Sequence, residues 1–254
     1  MTYRPQKILT TNGKTGLSLD LPMEGHCKPT KICSKDCYAR TGHQAMKACK
    51  RKQKWVSEYL KGKDISDLAQ EARLFAAVRL NGCGDLLPGH IDNLFKLAEA
   101  CPFTQFWGMT RKKDIAMAVN GMNGFPDQPN LRILLSVDAS SPESVWRYPG
   151  PMCFGPRRPE DQVPDDPRIK VVFPRHFAGK VIKGIPEHPL DCQGVYHKIS
   201  GCMECGRCWN WSKPASEYRP PAKKVSLGRL ETSLENIEHL VPGRQTKRAR
   251  LAKV

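Results

Sequence analysis

The chain has 254 residues, of which 39% are hydrophobic, with 21 prolines and 20 glycines. The length is enough for one large α/β domain or two smaller ones. The composition predicts a globular protein with many loops, and it excludes a coiled coil or a chain that is mainly disordered. The formal net charge is +16, from 41 Lys and Arg against 25 Asp and Glu. Such a surplus favours an anionic partner such as nucleic acid, with plain solubility as the alternative.

The sequence contains no apolar run of the roughly 18 residues that a membrane-spanning helix needs. The first residues also lack the apolar core of a signal peptide. We therefore expect a cytoplasmic protein with no membrane partner. In that reducing compartment, eleven cysteines are not expected to form disulfides, and clustered cysteines more often bind metal.

Strand and helix patterns alternate along most of the chain. Period-two alternation and apolar runs predict strands at 17–21, 76–80, 104–109, 131–137 and 169–173. Helical spacing predicts helices at 43–61, 64–71, 90–100, 112–120, 141–146 and 231–239. Residues 1–16 are predicted to form an entry loop or hairpin with a turn at Asn12-Gly13, and the Pro-rich segment 149–167 a loop.

The repeated strand–helix order predicts the fold class and the domain organisation. It indicates an α/β protein with a parallel sheet, either curled or forming a partial (β/α)6-type barrel. We expect this domain over residues 1–183, a Cys-rich metal-binding segment over 184–230, and a helix with a basic tail over 231–254.

Three cysteines follow the first predicted parallel strand with the spacing C-x5-C-x3-C, at Cys27, Cys33 and Cys37. Structural zinc normally has four protein ligands, so three thiolates leave one coordination position for another molecule. A 4Fe–4S cluster with one free iron fits this pattern. The alternatives are a zinc site completed by His26 or His43, or three unrelated thiols.

A second cysteine group consists of Cys192, Cys202, Cys205 and Cys208. Four thiolates can saturate a metal site without another ligand, so this group predicts a second metal site. Structural zinc and an auxiliary iron–sulfur cluster both fit the spacing. Cys49, Cys83, Cys101 and Cys153 are interpreted as buried or incidental thiols.

Polar residues follow several predicted strands at their carboxyl ends. The Gly-rich turn from Asn81 to Asp85 lets the backbone approach a ligand closely, and Asp85 can accept hydrogen bonds from an ammonium group or a ribose. An ordinary helix N-cap is the alternative reading. The other strand ends carry Thr110-Arg111, Ser136 with Asp138, and Arg175-His176. Basic residues concentrate in the predicted helix at 43–61 and in the tail. These residues are interpreted either as a nucleic-acid contact or as a solvated surface.

Several of these motifs occur in an order that resembles a known family. They are Thr11-Asn12-Gly13-Lys14, the three-cysteine loop ending in Cys37-Tyr38-Ala39, Gly84-Asp85, the stretch Phe106 to Lys112, and the late cysteine group. Together they resemble the phage gene product 88 domain family over most of residues 8–210. The chain is also similar to a divergent radical S-adenosylmethionine enzyme.

The second resemblance implies a partial (β/α)6 barrel in which Cys27, Cys33 and Cys37 hold a 4Fe–4S cluster. The free iron would bind S-adenosylmethionine, and reduction by an electron donor protein would generate a 5′-deoxyadenosyl radical. By the same resemblance, Tyr38 lies beside adenine, Ser136 and Asp138 lie near the ribose, and the methionine amino group meets the turn at Gly82, Gly84 and Asp85. The usual family spacing is C-x3-C-x2-C and its usual acid is glutamate, so this chain differs at both points.

Together these expectations predict a radical enzyme that acts on an anionic substrate, and nucleic acid is a candidate substrate. The competing hypothesis is a non-catalytic, zinc- or cluster-stabilised nucleic-acid-binding phage protein. A third is a redox or iron–sulfur sensor. For a phage-encoded protein the expected location is the host cell cytoplasm.

Overall fold

The computed structural model describes residues 3–12, 16–40, 42–121, 128–177, 180–194 and 202–209. The predicted turn residue Gly13, the helix predicted at 231–239 and the basic tail lie outside these ranges. The backbone of Tyr38 lies inside them and its side chain does not.

The predicted alternation of strands and helices is present in the described residues. The strands are β1 (Thr10–Asn12), β2 (Gly16–Asp20), β3 (Ala77–Cys83), β4 (Gln105–Thr110), β5 (Leu131–Val137), β6 (Met152–Arg157), β7 (Ile169–Pro174), β8 (His176–Phe177) and β9 (Lys180–Val181). The α-helices are α1 (Lys31–Lys35), α2 (Lys47–Lys61), α3 (Ser66–Ala72), α4 (Ile91–Ala100), α5 (Lys113–Asn120), α6 (Glu143–Trp146) and α7 (Cys202–Cys205). Short 3₁₀ helices lie at Tyr38–Arg40, Gly42–Ala45 and Pro88–His90.

Among the described strands, β1 to β7 form one sheet whose strand order equals the chain order. β1 pairs antiparallel with β2, and every later pair in this sheet is parallel. The prediction of an α/β fold with a parallel sheet is therefore confirmed. β1 and β7 form the two edges, so the sheet is not closed into a barrel; a curled sheet is compatible with this order.

The crossover helices and the main core lie on one face of the sheet. Crossovers between parallel strands are nearly always right-handed, so a sheet that grows in one direction carries its helices on one side. The core on that face joins strand residues to helix residues, among them Val78, Leu80, Phe106, Ile133, Leu135, Val56, Leu60, Leu94, Leu97 and Val119. Burying a side chain of this kind contributes about 1.5–3 kcal/mol.

The opposite face of the sheet carries a smaller apolar cluster. Side chains alternate along a strand, so Trp107 and Leu134 point away from the helices. The described part of the late cysteine segment packs on them: the rings of Trp107 and Trp209 lie 5.0 Å apart, and Cys208 belongs to the same cluster. The described part of the Cys-rich segment therefore packs on the face of the sheet opposite the crossover helices.

The prediction of a loop over residues 149–167 is wrong for Met152–Arg157, which forms β6 between β5 and β7. Proline normally disfavours a central strand because it lacks an N–H donor. Here the pairing with β5 runs through Phe154 and stops before Pro156. The register with β7 shifts between Phe154 and Arg157, so the ladder is irregular where the donor is missing.

Among the described helices, none combines the length and the apolar character needed to cross a bilayer.

Candidate metal and cofactor site

The loop that carries the first three cysteines leaves the carboxyl end of β2, as predicted. The Leu21 N–H donates to the Cys83 carbonyl at 2.9 Å, which extends the contact between β2 and β3 by one residue. The loop then turns, with the Cys27 N–H donating to the Met23 carbonyl at 2.9 Å. Because β2 to β7 are parallel, the carboxyl ends of these strands share one edge, where α/β folds usually bind ligands.

The short helix α1 sets the separation between Cys33 and Cys37. Thr30 is its N-cap: the backbone is extended and the side-chain oxygen accepts a hydrogen bond from the Cys33 N–H at 3.1 Å. A cap of this kind stabilises a helix start by about 1 kcal/mol. Asp36 is the C-cap that follows the helix, and its N–H donates to the Ile32 carbonyl. Cys33 therefore lies in the first turn and Cys37 lies just beyond the helix.

Asp138, directly after β5, attaches this loop to the sheet. Its carboxylate is fully buried. One oxygen accepts hydrogen bonds from the Thr30 hydroxyl and from the Arg111 guanidinium, the latter at 2.8 Å. The other accepts from the N–H and the hydroxyl of Ser140, at 2.9 and 2.8 Å. Both oxygens are thus occupied by contacts that position the cysteine loop.

Arg111 links the ends of neighbouring strands. Besides its bond to Asp138, the guanidinium donates to the Gly155 carbonyl of β6 at 2.7 Å. Its backbone N–H donates to the Asp85 carboxylate at 3.1 Å. A further ion pair, Arg175 to Asp36 at 2.9 Å, connects the loop to the end of β7. The loop is therefore fixed to most of the carboxyl edge of the sheet.

Asp85 lies in the predicted Gly-rich turn after β3 and is buried. One carboxylate oxygen accepts from the Leu86 N–H at 2.7 Å and the other from the Arg111 N–H. Burial raises the pKa of this carboxyl, and the hydrogen bonds from Thr110 and Arg111 act in the opposite direction. A carboxylate has about four lone-pair positions, so these contacts leave Asp85 with capacity for another donor.

The two glycines of this turn allow β3 to end against β2. A Cβ atom on Gly82 would lie 2.5 Å from the Asp20 carboxylate, and one on Gly84 would lie 2.2 Å from the Leu21 carbonyl oxygen. Gly84 also has φ +74°, which disfavours any residue with a side chain. In the described structure, the close approach that these glycines permit is to the chain's own backbone and side chains.

The thiols of Cys27, Cys33 and Cys37 are brought close enough for their charges to interact. Burial, with smaller contributions from Asp85, Cys37 and Cys33, raises the pKa of Cys27 to about 12. Burial also raises the pKa of Cys33, while the nearby Arg111 lowers it. All three cysteines are half-buried, and the Cys37 sulfur lies 3.6 Å from the Met23 sulfur. The structure therefore gathers the sequence-predicted thiols at one place.

Cys83, at the end of β3, is a fourth thiol at this site that the sequence interpretation set aside. It is fully buried, and its pKa is raised to about 12 by burial, by Asp20 and by the thiols of Cys27 and Cys37. The Gln53 amide lies 3.7 Å from its sulfur. The sequence feature that could have indicated Cys83 as part of this site was its position at the end of a strand, directly before Gly84-Asp85.

His26 is held by hydrogen bonds on both ring nitrogens. Nε2 lies 2.7 Å from the Ser57 hydroxyl, and Nδ1 lies 3.2 Å from the Glu24 carbonyl. Ser57 in turn lies 3.2 Å from Nε2 of the fully buried His90, whose Nδ1 accepts from the Leu87 N–H. A carbonyl only accepts and a backbone N–H only donates, which fixes the direction of these hydrogen bonds. His90 Nε2 therefore donates to the Ser57 hydroxyl, and Ser57 donates to Nε2 of a neutral His26. His26 has no free nitrogen for a metal in this arrangement.

Within the described ranges, no group of three or more His, Cys, Asp or Glu side chains is arranged so that it could hold a metal ion.

Comparison with known proteins gives one match. The family model described as gene product 88 matches residues 3–210. The chain belongs to the gene product 88 family. The matched region contains the cysteine loop, the whole sheet and the second cysteine group. No curated protein and no solved structure matches the chain.

In this gene product 88 protein, the second cysteine group also converges. Cys192, Cys202, Cys205 and Cys208 line one small pocket together with Val171 and Arg207. Burial raises the pKa of Cys208 well above its ordinary value, and the other three thiols raise it further. The sequence grouping of these four cysteines is thus matched by their placement.

Ser136 and Tyr38 complete the predicted positions. Ser136 is half-buried on β5, pairs in register with Cys153 of β6 and hydrogen-bonds its thiol. Tyr38 begins the 3₁₀ helix that directly follows Cys37.

Asp20, which sequence analysis did not single out, is buried beside Cys83, and its carboxylate accepts a hydrogen bond from the Ser18 hydroxyl at 3.0 Å. The alternation along β2 places Asp20 on its polar face, so the sequence pattern did not predict this burial.

Proposed function

We propose that this gene product 88 protein is an iron–sulfur protein of radical S-adenosylmethionine type. In this proposal Cys27, Cys33 and Cys37 hold a 4Fe–4S cluster at the carboxyl edge of a curled, partial-barrel sheet. The observation that carries it is the convergence of these half-buried thiols, beside the buried Asp85, on a loop fixed by Arg111.

The donor set fits such a cluster. The loop supplies three half-buried thiols, and the fourth thiol at the site, Cys83, is fully buried. The hydrogen bonds of His26 to Ser57 and Glu24 remove one of the two histidines that could complete a zinc site. Each thiolate of a cluster binds a different iron, so its ligands surround a larger object than a single ion. Burial favours the protonated thiol of Cys27, and a bound cationic centre would instead favour its thiolate.

When bound and reduced, the cluster would supply the electron that cleaves S-adenosylmethionine to methionine and a 5′-deoxyadenosyl radical. Asp85 would bind the methionine ammonium, because its carboxylate is buried and has unused lone pairs. Gly82 and Gly84 keep that turn close to β2. Tyr38 and Ser136 would border the adenine and the ribose.

Arg111 and Asp138 have a positioning role in this proposal. The Arg111 charge lowers the pKa of Cys33 and thereby favours the thiolate that a metal requires. Asp138 neutralises the guanidinium and fixes the Thr30 cap of α1. An electron donor protein is the expected partner, and an anionic substrate would match the net charge of +16.

The test starts from protein purified without oxygen and reconstituted with iron and sulfide. We expect visible iron–sulfur absorption, and 5′-deoxyadenosine when dithionite and S-adenosylmethionine are added. Cys33→Ala should form no 5′-deoxyadenosine and should lose the iron and sulfide of the first site, while a cluster on the second cysteine group remains. Cys49→Ala, a free half-buried cysteine on α2, is the matched control and should retain both.

Two results would reject the proposal. A colourless protein that binds only zinc would exclude the cluster. A fully loaded protein that forms no 5′-deoxyadenosine would exclude the radical chemistry and leave a sensor or a structural centre.

A second candidate is a non-catalytic, metal-stabilised nucleic-acid-binding protein. Basic residues on the cysteine loop, on the following 3₁₀ helix and on α2 are exposed to solvent: Lys28, Lys31, Lys35, Arg40, Lys47, Lys50, Arg51 and Lys54. Their phosphate contacts would make the logarithm of the binding constant fall linearly with the logarithm of the salt concentration. Replacing Lys31, Lys35 and Lys47 with Gln should make that slope shallower by about 0.9 per lost phosphate contact on duplex DNA. A flat salt response in the unmodified chain would assign the charge to solubility.

A further inference from the structure

The second cysteine group is built from two segments that the fold brings together. Cys192 is attached to the sheet, because its N–H donates to the Val172 carbonyl of β7 at 2.8 Å. The preceding residue, Asp191, forms a parallel bridge with Val172 and a buried ion pair with Arg157 at 2.9 Å. This part of the site is therefore fixed by the main fold.

The other three cysteines lie on one tight turn. Cys202 and Cys205 begin and end α7, and residues three apart on a helix lie on the same side. Gly206 ends the helix with φ +63°, and its N–H donates to the Cys202 carbonyl at 2.8 Å. The Trp209 N–H then donates to the Gly206 carbonyl at 3.1 Å. This reversal brings Cys208 back toward the other two.

The four thiols surround a pocket that also receives a positive charge. Arg207 is 7% exposed and lines the pocket, and its guanidinium donates to the carbonyls of Pro189 and Asp191, both at 3.2 Å. Four thiolates around an oxidised 4Fe–4S cluster carry net negative charge. A buried negative centre is costly without a nearby cation, and Arg207 supplies one.

The same segment has little apolar contact of its own with the sheet. Its described residues in the apolar cluster on the face opposite the crossover helices are Cys192, Cys202, Cys208 and Trp209, of which Trp209 lies against Trp107. A small segment with so few buried side chains is usually stabilised by a metal or by disulfides. Its four cysteines line one pocket, as the ligands of a metal centre do.

We propose that Cys192, Cys202, Cys205 and Cys208 hold a structural 4Fe–4S cluster, which is larger than a single metal ion. This cluster fixes the described part of the 192–209 segment on the face of the sheet opposite the crossover helices. Arg207 compensates the charge of this centre. Binding displaces the thiol protons, one for each sulfur that becomes a thiolate ligand. The centre is saturated by protein ligands, so it holds the segment in place and takes no substrate. It does not depend on the proposed function of the first site.

The test uses the full-length chain with Cys27, Cys33 and Cys37 all replaced by Ala, so that only the second group can bind metal in quantity. Metal and sulfide are measured after purification with zinc and, separately, after anaerobic reconstitution with iron and sulfide. We expect about four irons and four sulfides per chain after the anaerobic reconstitution, as for a cubane cluster. One zinc per chain with no bound iron would instead indicate a single-ion site and would overturn the cluster.

Adding Cys205→Ala to that background should remove most of the metal, whereas Cys101→Ala, a buried cysteine held against Ala69, should not. Because Cys205→Ala could also unfold the segment, a second measurement uses the unchanged background protein. Stepwise blocking of thiols should release metal together with protease cleavage within 192–209. Absence of bound metal in both preparations, or equal metal in the Cys205→Ala and Cys101→Ala proteins, would overturn the proposal.

Discussion

Arg111 and Asp138 form a nearly buried ion pair, 2.8 Å from guanidinium nitrogen to carboxylate oxygen, across the ends of β4 and β5. The guanidinium is 11% exposed and the carboxylate is not exposed at all. The same Asp138 oxygen accepts from Thr30, which caps the helix between Cys33 and Cys37. The pair therefore connects the sheet to the geometry of the cysteine loop.

Replacing Asp138 with Ala should destabilise the protein and weaken metal binding together. The change leaves Arg111 buried without its carboxylate, which typically costs about 3–5 kcal/mol in unfolding free energy. It also removes a partner of Thr30, so the iron content after reconstitution should fall. Denaturant unfolding and iron analysis measure the two effects.

The matched control is Glu143→Ala, which breaks an ion pair with Arg147 of the same 2.8 Å length on the exposed surface. Such a pair contributes only about 0.3–0.5 kcal/mol, and iron binding should not change. Equal unfolding midpoints for Asp138→Ala and Glu143→Ala would contradict the role of the buried pair.

Replacing Cys83 with Ala should leave the iron and sulfide content of the first site unchanged. Cys83 is fully buried, whereas the three loop cysteines are half-buried. The cost should be about 1 kcal/mol of stability, because a small buried group is lost. Iron analysis beside the Cys33→Ala variant gives the comparison.

The opposite result would be informative. If Cys83→Ala loses its iron as Cys33→Ala does, the site is closed by four thiolates. No iron would then be free to bind S-adenosylmethionine, and the proposed chemistry would be rejected.

The unfolding free energy should fall on acidification from about pH 6.5 to about pH 4. His90 has its pKa lowered from 6.5 to about 4, first by burial and then by His26, Lys61 and Lys112. In this window the unfolded chain binds a proton that the folded chain does not. Stability is therefore complete above the unfolded pKa and falls by roughly 3 kcal/mol as the pH approaches 4.

His90→Asn removes this titrating group and should make the pH dependence shallower. His43→Asn, at an exposed position, should leave the slope as it is in the unmodified chain. Denaturant unfolding at a series of pH values measures both. A slope that His90→Asn does not alter would show that other groups cause the acid sensitivity.

Gly84→Ala should be much more destabilising than Gly184→Ala. Both residues have positive φ, +74° and +86°, so both substitutions introduce similar backbone strain of about 1–2 kcal/mol. Only at Gly84 would the new Cβ lie 2.2 Å from a backbone oxygen, that of Leu21, whereas the space around Gly184 is open. The difference between the two unfolding free energies measures the steric contact, and equal values would mean that β2 and the turn can move apart.

Much of the sheet follows from local pattern. β5 was predicted with its observed bounds because Leu131 to Val137 is a nearly unbroken apolar run. β6 was not, since Pro156 and the charges after it give a loop signal. The strand forms because Met152 to Phe154 are buried between β5 and β7. Burial between neighbouring strands outweighs local preference, and a single-sequence pattern does not record which strands become neighbours.

The sequence by itself determined the class of fold, the position of the three-cysteine loop after a parallel strand, and the grouping of both cysteine sets. These depend on short-range order, such as residue spacing and periodicity. Only the tertiary structure decided that Asp138 and Arg111 fix the loop, that Ser57 and Glu24 occupy the nitrogens of His26, and that Cys83 joins the first site. Those contacts join residues far apart in the chain, and they form because a parallel sheet collects its strand ends at one buried edge where polar groups must find partners.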